Sequence, residues 1–366
     1  MRLNKIELHN FRNYNRQFID PCPSLNIISG DNAQGKTNII EAIYLACTGR
    51  SFRSLRDNEM ISWEGEYALI SAMFDTAGSE LELKLLITPS QKKIKVNNVH
   101  SKRMPFGWPG IVLFTPDDLD IIKGAPQRRR NFFDIEVGVL DNQYSYTLNR
   151  YQRVLQQRNQ LLKEFREGKT DAESLETWNN QFISYGSKII KTRIELLKKV
   201  NYTVKNIYRE LTGGKEETDF RYSSSIKIEK EMTENDIRNR FRQVISEIRK
   251  EEIYRGQSLV GPHRDDIIFF INRKEARTYG SQGQQRSLIL ALKLALLKVW
   301  YNEIREYPIL LLDDVMSELD KVRQRELLRI ISNDVQTFIS SSVFSDINTA
   351  AEIEKKCFVI SEGKII

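Results

Sequence analysis

The sequence predicts an α/β fold in which a nucleotide-binding sheet is interrupted by a large, mainly helical insertion. A strand-like run at 25–29 leads into the glycine-containing loop 30–37, and four apolar residues at 309–312 lead into two adjacent acids. About 275 residues separate these two segments, far more than a single nucleotide-binding unit needs between them. The intervening chain therefore includes an inserted domain, and we place its boundaries so that residues 1–115 and 256–366 form the head and 116–255 the arm.

The composition is that of a soluble protein whose charge weakly favours a polyanionic partner. The chain has 366 residues, of which 40% are hydrophobic and 29% charged, with a net charge of +7. The basic excess weakly favours nucleic acid as that partner. Three cysteines and three histidines, all far apart, indicate neither a disulfide framework nor a Cys/His metal site. Because we find no signal peptide and no membrane-spanning run, we expect a cytoplasmic protein.

The glycine-containing loop has the spacing G-x-x-x-x-G-K-[ST] between a strand at 25–29 and a helix at 38–47. Glycines allow such a loop to curl so that its backbone N–H groups point at phosphate oxygens, and the helix N-terminus adds positive potential. Lys36 is predicted to reach the β- and γ-phosphates of a nucleotide, and the Thr37 hydroxyl to bind Mg²⁺. The eight loop residues are Gly30, Asp31, Asn32, Ala33, Gln34, Gly35, Lys36 and Thr37.

The rest of the N-terminal segment reads as strands and turns. Residues 3–8 alternate as an edge or half-exposed strand, and 11–14 form a turn. Antiparallel strands are predicted at 67–75, 80–88 and 92–96, followed by a short buried strand at 111–114. The loop 49–56 carries Arg50, Arg53 and Arg56, which either meet a phosphate backbone or are simply solvated.

The insertion is predicted to be mostly helical. Apolar residues recur at helical spacing over 144–165, over 178–211 and from 233 onwards, with one small strand at 220–228. Residues 188 to 210 include seven basic and two acidic side chains. An ordinary solvated helix face is favoured over a DNA-binding tract there. A turn at 258–266 leads into a strand at 267–271, and we expect His263 to make a structural hydrogen bond.

The C-terminal segment carries the second half of the predicted site. Ser281 and Gly283 precede a strong helix at 287–300, and a hydroxyl with free amides at a helix start suits an anion. The apolar run 309–312 predicts a strand buried on both faces, which ends at Asp313 and Asp314. Adjacent half-buried carboxylates are costly unless a cation joins them, so Asp313 is predicted to support Mg²⁺ and Asp314 to activate a water. An ordinary strand followed by a solvated acidic turn is the alternative. A helix at 323–331 and a strand at 336–340 follow.

A Ser-x-Gly helix before the acidic strand and S-E-L-D after it resemble the order of motifs in ABC-type P-loop ATPase heads. The chain is further similar to the RecF family of bacterial DNA repair and recombination proteins, relatives of SMC-type heads. Four blocks carry this resemblance over nearly the whole length: F-R-N-Y at 11–14, the loop at 30–37, residues 116–134 and D-D-V-M-S-E-L-D at 313–320. The third is the most specific, since no general nucleotide chemistry demands it.

The resemblance implies an ATP-dependent homodimer that binds duplex or gapped DNA, possibly also single strands, beside RecR. Its binding there would allow RecO and RecR to help RecA displace single-strand-binding protein. It further implies that Arg12 and Asn13 touch the nucleotide phosphates, that residues from Asn32 to Asn38 cradle them, and that Ser281 and Gly283 reach the γ-phosphate of the partner's ATP. Lys36 and Asp314 would be the catalytic residues, acting on ATP with Mg²⁺.

Two departures from the ABC pattern predict slow hydrolysis. Ser341 stands where many ABC proteins have a histidine, and Asp314 stands where many have a longer glutamate. A weak ATPase that acts as a switch follows from these positions, and the resemblance implies that its activity depends on DNA. Two alternatives differ in class. An ATP-dependent nuclease needs a further metal-carboxylate domain, for which we see no room, and an SMC-like structural protein needs longer heptad arms than about 115 residues supply.

Overall fold

The computed structural model describes residues 1–76, 79–101, 109–229, 231–331, 334–342 and 354–366. These residues divide into two compact units, each described by itself. The first comprises Met1–Asp118, Asn206–Glu216 and Arg286–Ile366, and the second comprises Leu119–Lys205 and Glu217–Gln285. The second unit thus begins close to the predicted start of the arm and ends at Gln285, beyond the predicted boundary at 255.

The first unit opens with a series of strands and one helix. The predicted antiparallel strands over 67–96 are confirmed, and so is the turn at 11–14. The strand predicted at 3–8 is half-exposed, as one of the two alternatives stated. It is not an edge strand, because it has a neighbour on either side. In chain order the elements are β1 (Arg2–Phe11), β2 (Tyr14–Ile19), β3 (Leu25–Ser29), α1 (Lys36–Thr48), β4 (Ala68–Thr76), β5 (Ser79–Ile87), β6 (Lys92–Val96), β7 (Val99–Ser101) and β8 (Ile111–Phe114).

The second unit is mainly helical, as predicted. Its last long helix begins with a capping box, in which the Thr233 hydroxyl and the Asp236 carboxylate each accept from the other residue's backbone amide. The strand predicted at 220–228 ends at Ser223, because the chain turns at 225–226. The elements are α2 (Asp120–Lys123), α3 (Pro126–Leu140), α4 (Asn142–Arg166), α5 (Ala172–Leu211), β9 (Thr218–Ser223), α6 (Glu234–Arg255), β10 (Asp266–Ile271), β11 (Lys274–Glu275) and α7 (Ala276–Tyr279).

From Arg286 onwards the C-terminal segment completes the first unit. Its long apolar helix begins at Gln282, five residues before the predicted start at 287. In the described part of the chain, no helix is both long and apolar enough to cross a membrane. The elements are α8 (Gln282–Ile304), β12 (Ile309–Leu312), α9 (Lys321–Ile330), β13 (Thr337–Ser341), β14 (Lys355–Ser361) and β15 (Lys364–Ile365).

Two sheets enclose α1 in the first unit. One is antiparallel with the order β2-β1-β4-β5-β6-β7, and the other has the order β15-β14-β3-β13-β12-β8 and is parallel except for its edge strand β15. Ile39 and Ile43 of α1 belong to the same buried cluster as Leu85 of the first sheet and Leu311 of the second. In the parallel sheet β13 lies between β3 and β12, so the carboxyl ends of all three strands meet at one edge. An edge of this kind is where open α/β sheets bind ligands.

Candidate functional site

The glycine-containing loop follows β3, and the turn between β1 and β2 braces it. The Tyr14 hydroxyl donates to the Gly35 carbonyl at 3.0 Å, and Asn13 Nδ2 donates to the Gln34 carbonyl at 2.9 Å. Gly35 has φ +117°, and a Cβ there would lie 2.7 Å from Asn13 Nδ2. Glycine is therefore required by both the backbone conformation and the close approach of the turn.

The C-terminal hairpin braces the other side of the loop. Gly30 has φ +147°, and a Cβ at this position would collide with the carbonyl oxygen of Ile360 in β14. The Glu362 amide, in the turn after β14, donates to Gln34 Oε1 at 2.5 Å. The loop is thus fixed from two directions before it meets any ligand, which is the preorganisation that phosphate binding by backbone amides requires.

Lys36 begins α1 and folds back over the loop. Its side chain is mostly buried, and Nζ donates to the carbonyls of Gly30 at 2.6 Å and Asp31 at 2.7 Å. Burial lowers the pKa of Lys36, while the nearby carboxylates, among them Asp313 and Asp314, oppose that shift. Phosphate oxygens would compete with neutral carbonyls for this ammonium group because they carry full negative charge.

Asp313 lies at the end of β12 and touches the loop directly. The Thr37 hydroxyl donates to Asp313 Oδ1 at 3.0 Å, and the Ser340 hydroxyl at the end of β13 donates to the same oxygen at 2.6 Å. The side chain is only 6% exposed. Burial, and then repulsion by Asp314, raise the pKa of Asp313 although both hydroxyls stabilise its ionised form. The raised pKa means that the nearby positive charges do not offset the cost of burying this carboxylate.

The donors at this point fit Mg²⁺ bound together with phosphates. One carboxylate and one hydroxyl, from Asp313 and Thr37, are already in contact, and Mg²⁺ is held in proteins by one or two such groups, waters and substrate phosphates. Across the residues that the structure describes, no group of three or more His, Cys, Asp or Glu could hold a metal alone. The site therefore suits a metal that arrives with a nucleotide.

Asp314 turns out of the strand with left-handed backbone geometry. Its φ is +52°, a conformation that aspartate tolerates better than most residues. The Asp314 amide donates to Ser340 Oγ at 2.9 Å, and the Ser317 hydroxyl donates to the Asp314 carbonyl and to Oδ1 at 2.8 and 2.9 Å. The two serines hold the backbone and carboxylate of Asp314 beside Asp313, where the carboxylate can accept a proton from a water.

Arg12 makes contacts that the sequence did not indicate. Its guanidinium donates to both oxygens of Glu41, at 2.9 and 2.7 Å, and also to the Glu59 carbonyl and the Ser54 hydroxyl. Glu41 lies on α1 and is fully buried, and the Ser51 hydroxyl donates to it as well. The structure therefore shows Arg12 as a strut between α1 and the loop 49–56, whereas its neighbour Asn13 contacts the glycine-containing loop.

Asn38 and Arg53 extend this network. Asn38 Nδ2 donates to Asn13 Oδ1 at 2.8 Å, and Arg53 Nη1 donates to Asn38 Oδ1 at 2.9 Å. Arg53 also lies 3.7 Å from Glu41 and lowers the pKa of Asp313 by its charge, so it belongs to the surroundings of the acid pair. Arg50 and Arg56 are exposed.

Ser281 and Gly283 belong to the second unit, at the first turn of α8. The Gln284 amide donates to Ser281 Oγ at 3.3 Å, and the Ser281 amide donates to Gln284 Oε1 at 2.9 Å. Ser281 is exposed, as an anion site at a helix start requires.

The basic tract on α5 is weaker than its sequence suggests. Arg193 is buried and ion-paired with Asp134 at 2.8 Å, and it donates to the Pro262 carbonyl. Lys191 pairs with Glu195, and Lys205 pairs with an aspartate of β9. At least three of the seven bases are thus engaged within the protein, which weakens the case for a DNA-binding tract on this helix. His263 makes the expected structural hydrogen bond, to the Tyr151 hydroxyl at 2.7 Å.

Sequence reasoning missed Ser340, Ser317, Tyr14 and Glu41. Ser340 lies beside Asp313 because Ile339 pairs with Leu312 in the parallel sheet, and this register is not visible in the sequence. Ser341, predicted in the position of the ABC histidine, is buried and pairs with Ser29. Glu41 has no sequence signal, since a glutamate five residues into a helix is usually solvent-exposed.

Comparisons with known proteins show which families and structures this chain resembles. A family model described as an AAA domain matches residues 5–255. The chain is 47% identical to the DNA replication and repair protein RecF of Pelotomaculum thermopropionicum and 41% identical to that of Oceanobacillus iheyensis, with full coverage of both chains. A solved structure of the recombination mediator protein RecF-ATP in the RecFOR pathway superposes with a TM-score of 0.87 at 33% identity, covering 100% of this chain and 96% of that one.

A more distant likeness concerns the fold alone. An SMC head bound to the C-terminal winged-helix domain of ScpA superposes with a TM-score of 0.59 at 16% identity, covering 100% of this chain and 97% of that one. These likenesses confirm the predicted fold class, an ABC-type P-loop ATPase head with an inserted, mainly helical arm.

Proposed function

This chain belongs to the RecF family of DNA replication and repair proteins, and we propose that it is an ATP-switched DNA-binding protein of recombinational repair. The observation that carries the proposal is the contact of Thr37 with Asp313 at 3.0 Å, reinforced by Ser340. This contact joins the phosphate-binding loop to the acid pair across about 275 residues of sequence. The contact places a hydroxyl and a carboxylate where they can bind a divalent cation together with the phosphates of a nucleoside triphosphate.

The nucleotide is ATP, and the chain's own residues divide its binding between them. The loop amides from Gly30 to Asn38 surround the phosphates, and Lys36 exchanges its two carbonyl partners for phosphate oxygens. Thr37 and Asp313 would hold Mg²⁺, which when bound neutralises the charge on the β- and γ-phosphates. Arg12 and Asn13 act at the phosphates through the turn that they share, Asn13 by its contact with the loop and Arg12 by fixing the turn on Glu41.

Hydrolysis is slow and depends on DNA. Asp314 orients the attacking water and accepts its proton, while Ser317 and Ser340 fix the position of Asp314. The aspartate side chain is shorter than the glutamate usual in ABC proteins, and Ser341 replaces the histidine, so the water is held less firmly. A slow reaction suits a timer, because the ATP-bound state then lasts long enough to act.

ATP also links two copies of the chain. Ser281 and Gly283 reach the γ-phosphate bound by the partner, with Ser281 exposed at the start of α8, where the helix N-terminus adds positive potential. Ligand binding shared between two subunits favours the dimer, and loss of the γ-phosphate removes the link. Dimerisation is therefore coupled to the nucleotide.

The partners follow from the family. The ATP-bound dimer binds duplex or gapped DNA near junctions with single strands, and contacts RecR, which together with RecO supports RecA loading. The similarity to a protein solved as RecF-ATP in the RecFOR pathway supports this assignment. The protein acts in the cytoplasm, at the nucleoid.

The test is sedimentation of the purified chain with Mg²⁺ and a non-hydrolysable ATP analogue. We expect the wild type to form dimers, and Lys36→Ala to stay monomeric because its phosphate contact is lost. Lys321→Ala, which removes an exposed lysine at the start of α9, is the matched control and should dimerise like the wild type. Equal dimerisation of Lys36→Ala and wild type would refute the proposal.

A further inference from the structure

A cavity of about 680 Å³ lies on the outward face of the antiparallel sheet in the first unit. Tyr67, Leu69 and Leu86 supply apolar lining, and Lys93 and Lys95 supply positive charge. The other face of these strands is buried in the core, through residues such as Ile70 and Leu85. The cavity therefore uses the side of the sheet that the core does not, and it includes none of the residues assigned to ATP.

The strand register fixes the arrangement of this face. Leu69 of β4 pairs with Leu86 of β5, which pairs with Lys93 of β6. In the neighbouring row of the same face, Lys84 of β5 pairs with Lys95 of β6. Paired side chains lie about 5 Å apart at Cβ. The face thus consists of two leucines side by side with a group of lysines next to them.

The lysines on this face repel one another electrostatically. Lys84 and Lys95 are directly opposite each other, and Lys93 and Lys95 are two residues apart on one strand, so like charges are neighbours in both directions. Glu82 pairs with Lys84 at 2.6 Å. Within the described ranges, no carboxylate forms an ion pair with Lys93 or Lys95, and Glu66 is the acid in the lining. An anionic ligand would offset this repulsion.

We propose that this cavity binds an acidic peptide segment whose large apolar side chains enter it. The leucines and the 44% exposed ring of Tyr67 provide the apolar surface, and the lysines pair with the peptide's carboxylates. A nucleic acid backbone would use the lysines but would leave the leucines without an apolar partner, so the combination favours a polypeptide. The cavity volume is of the size that encloses one or two large side chains.

The experiment measures fluorescence anisotropy with the full chain at low salt. The probe is a labelled synthetic peptide of glutamates flanking leucine and phenylalanine. We expect saturable binding, which weakens about tenfold in Lys93→Ala/Lys95→Ala through lost charge pairing. Leu86→Ala should weaken it about fivefold through lost apolar contact. Lys321→Ala is the control and should bind as the wild type does.

Two further probes decide the chemical class. The same peptide with alanine for leucine and phenylalanine should bind at least about fivefold more weakly. Binding that is equal for both peptides, or unchanged in both variants, would overturn the proposal. So would a labelled single-stranded DNA that binds in the peptide's place and is lost in the lysine variant, since the face would then be a nucleic acid surface. Circular dichroism and binding of Mg²⁺-ATP, both expected to be unchanged, show that the variants are folded.

Discussion

Glu41 offers the sharpest test of how α1 and the loop 49–56 are held together. Its carboxylate is fully buried and accepts two hydrogen bonds from Arg12 and one from Ser51, at 2.5 to 2.9 Å. The change Glu41→Gln preserves the volume of the side chain but removes its charge and one acceptor oxygen. The Arg12 guanidinium then loses its counter-ion in a place that water reaches only in part, since its side chain is 19% exposed.

The expected loss of unfolding free energy is about 2 kcal/mol. Hydrogen bonds to charged groups contribute about 1.5 to 3 kcal/mol each, and breaking a fully buried ion pair costs about 3 to 5 kcal/mol. Glutamine retains one acceptor, and partial hydration of Arg12 compensates for some of the remainder, which gives the lower figure. The free energy is measured by urea denaturation, together with hydrogen exchange of the α1 amides to locate the effect.

A double-mutant cycle with Arg12→Ala isolates the pair. We expect a coupling energy of about 1 to 2 kcal/mol, because the two residues share two short hydrogen bonds. Glu64→Gln is the matched control at an exposed position and should change stability by less than about 0.5 kcal/mol. If the effects of Arg12→Ala and Glu41→Gln simply add, the Arg12–Glu41 ion pair does not stabilise the fold and the reasoning fails.

Three further predictions follow from single contacts. Burial raises the pKa of Asp313, so the ionised carboxylate lowers the stability of the fold at neutral pH. Without nucleotide, the Asp313→Asn variant should therefore have a larger unfolding free energy than the wild type at pH 7. The difference should shrink as the pH falls through the raised pKa, because Asp313 is then protonated in the folded state. Ser340→Ala removes contacts to both acids and should slow ATP hydrolysis about tenfold in a phosphate-release assay, with the exposed Ser342→Ala as a control that leaves the rate unchanged. Burial lowers the pKa of His263 to about 4, so its contribution to stability is complete above its ordinary pKa near 6.5 and is lost as the pH falls towards 4; His263→Gln should remove this acid sensitivity from the unfolding curve.

Much of the head follows from local sequence because its motifs coincide with strand ends. The run 25–29 is mostly apolar and the run 309–312 is apolar throughout. Both become neighbours of β13, which brings Thr37 to Asp313. Each prediction at this edge uses a short segment whose chemistry and conformation agree. The helix predicted from 233 onwards is another such case, because a local capping box at Thr233 fixes its start.

What the sequence could not predict depends on contacts between distant segments. Glu41 and Arg12 lie 29 residues apart, and only the packing of α1 beside the first turn reveals that one neutralises the other. Arg193 looks like part of a basic surface in the sequence, yet it is buried and forms an ion pair with Asp134, 59 residues earlier. The sheet order likewise requires tertiary knowledge, since β1 alternates like an edge strand but lies between β2 and β4.

The most direct measurement of the central claim is equilibrium DNA binding under three nucleotide conditions. Single-stranded, duplex and gapped DNA are each titrated with the chain in the absence of nucleotide, with ADP and with a non-hydrolysable ATP analogue. The account predicts tight binding to duplex or gapped DNA with the analogue alone, and loss of this gain in Lys36→Ala. Binding that is equally tight in all three conditions would contradict it, because ATP would then not control the affinity for DNA.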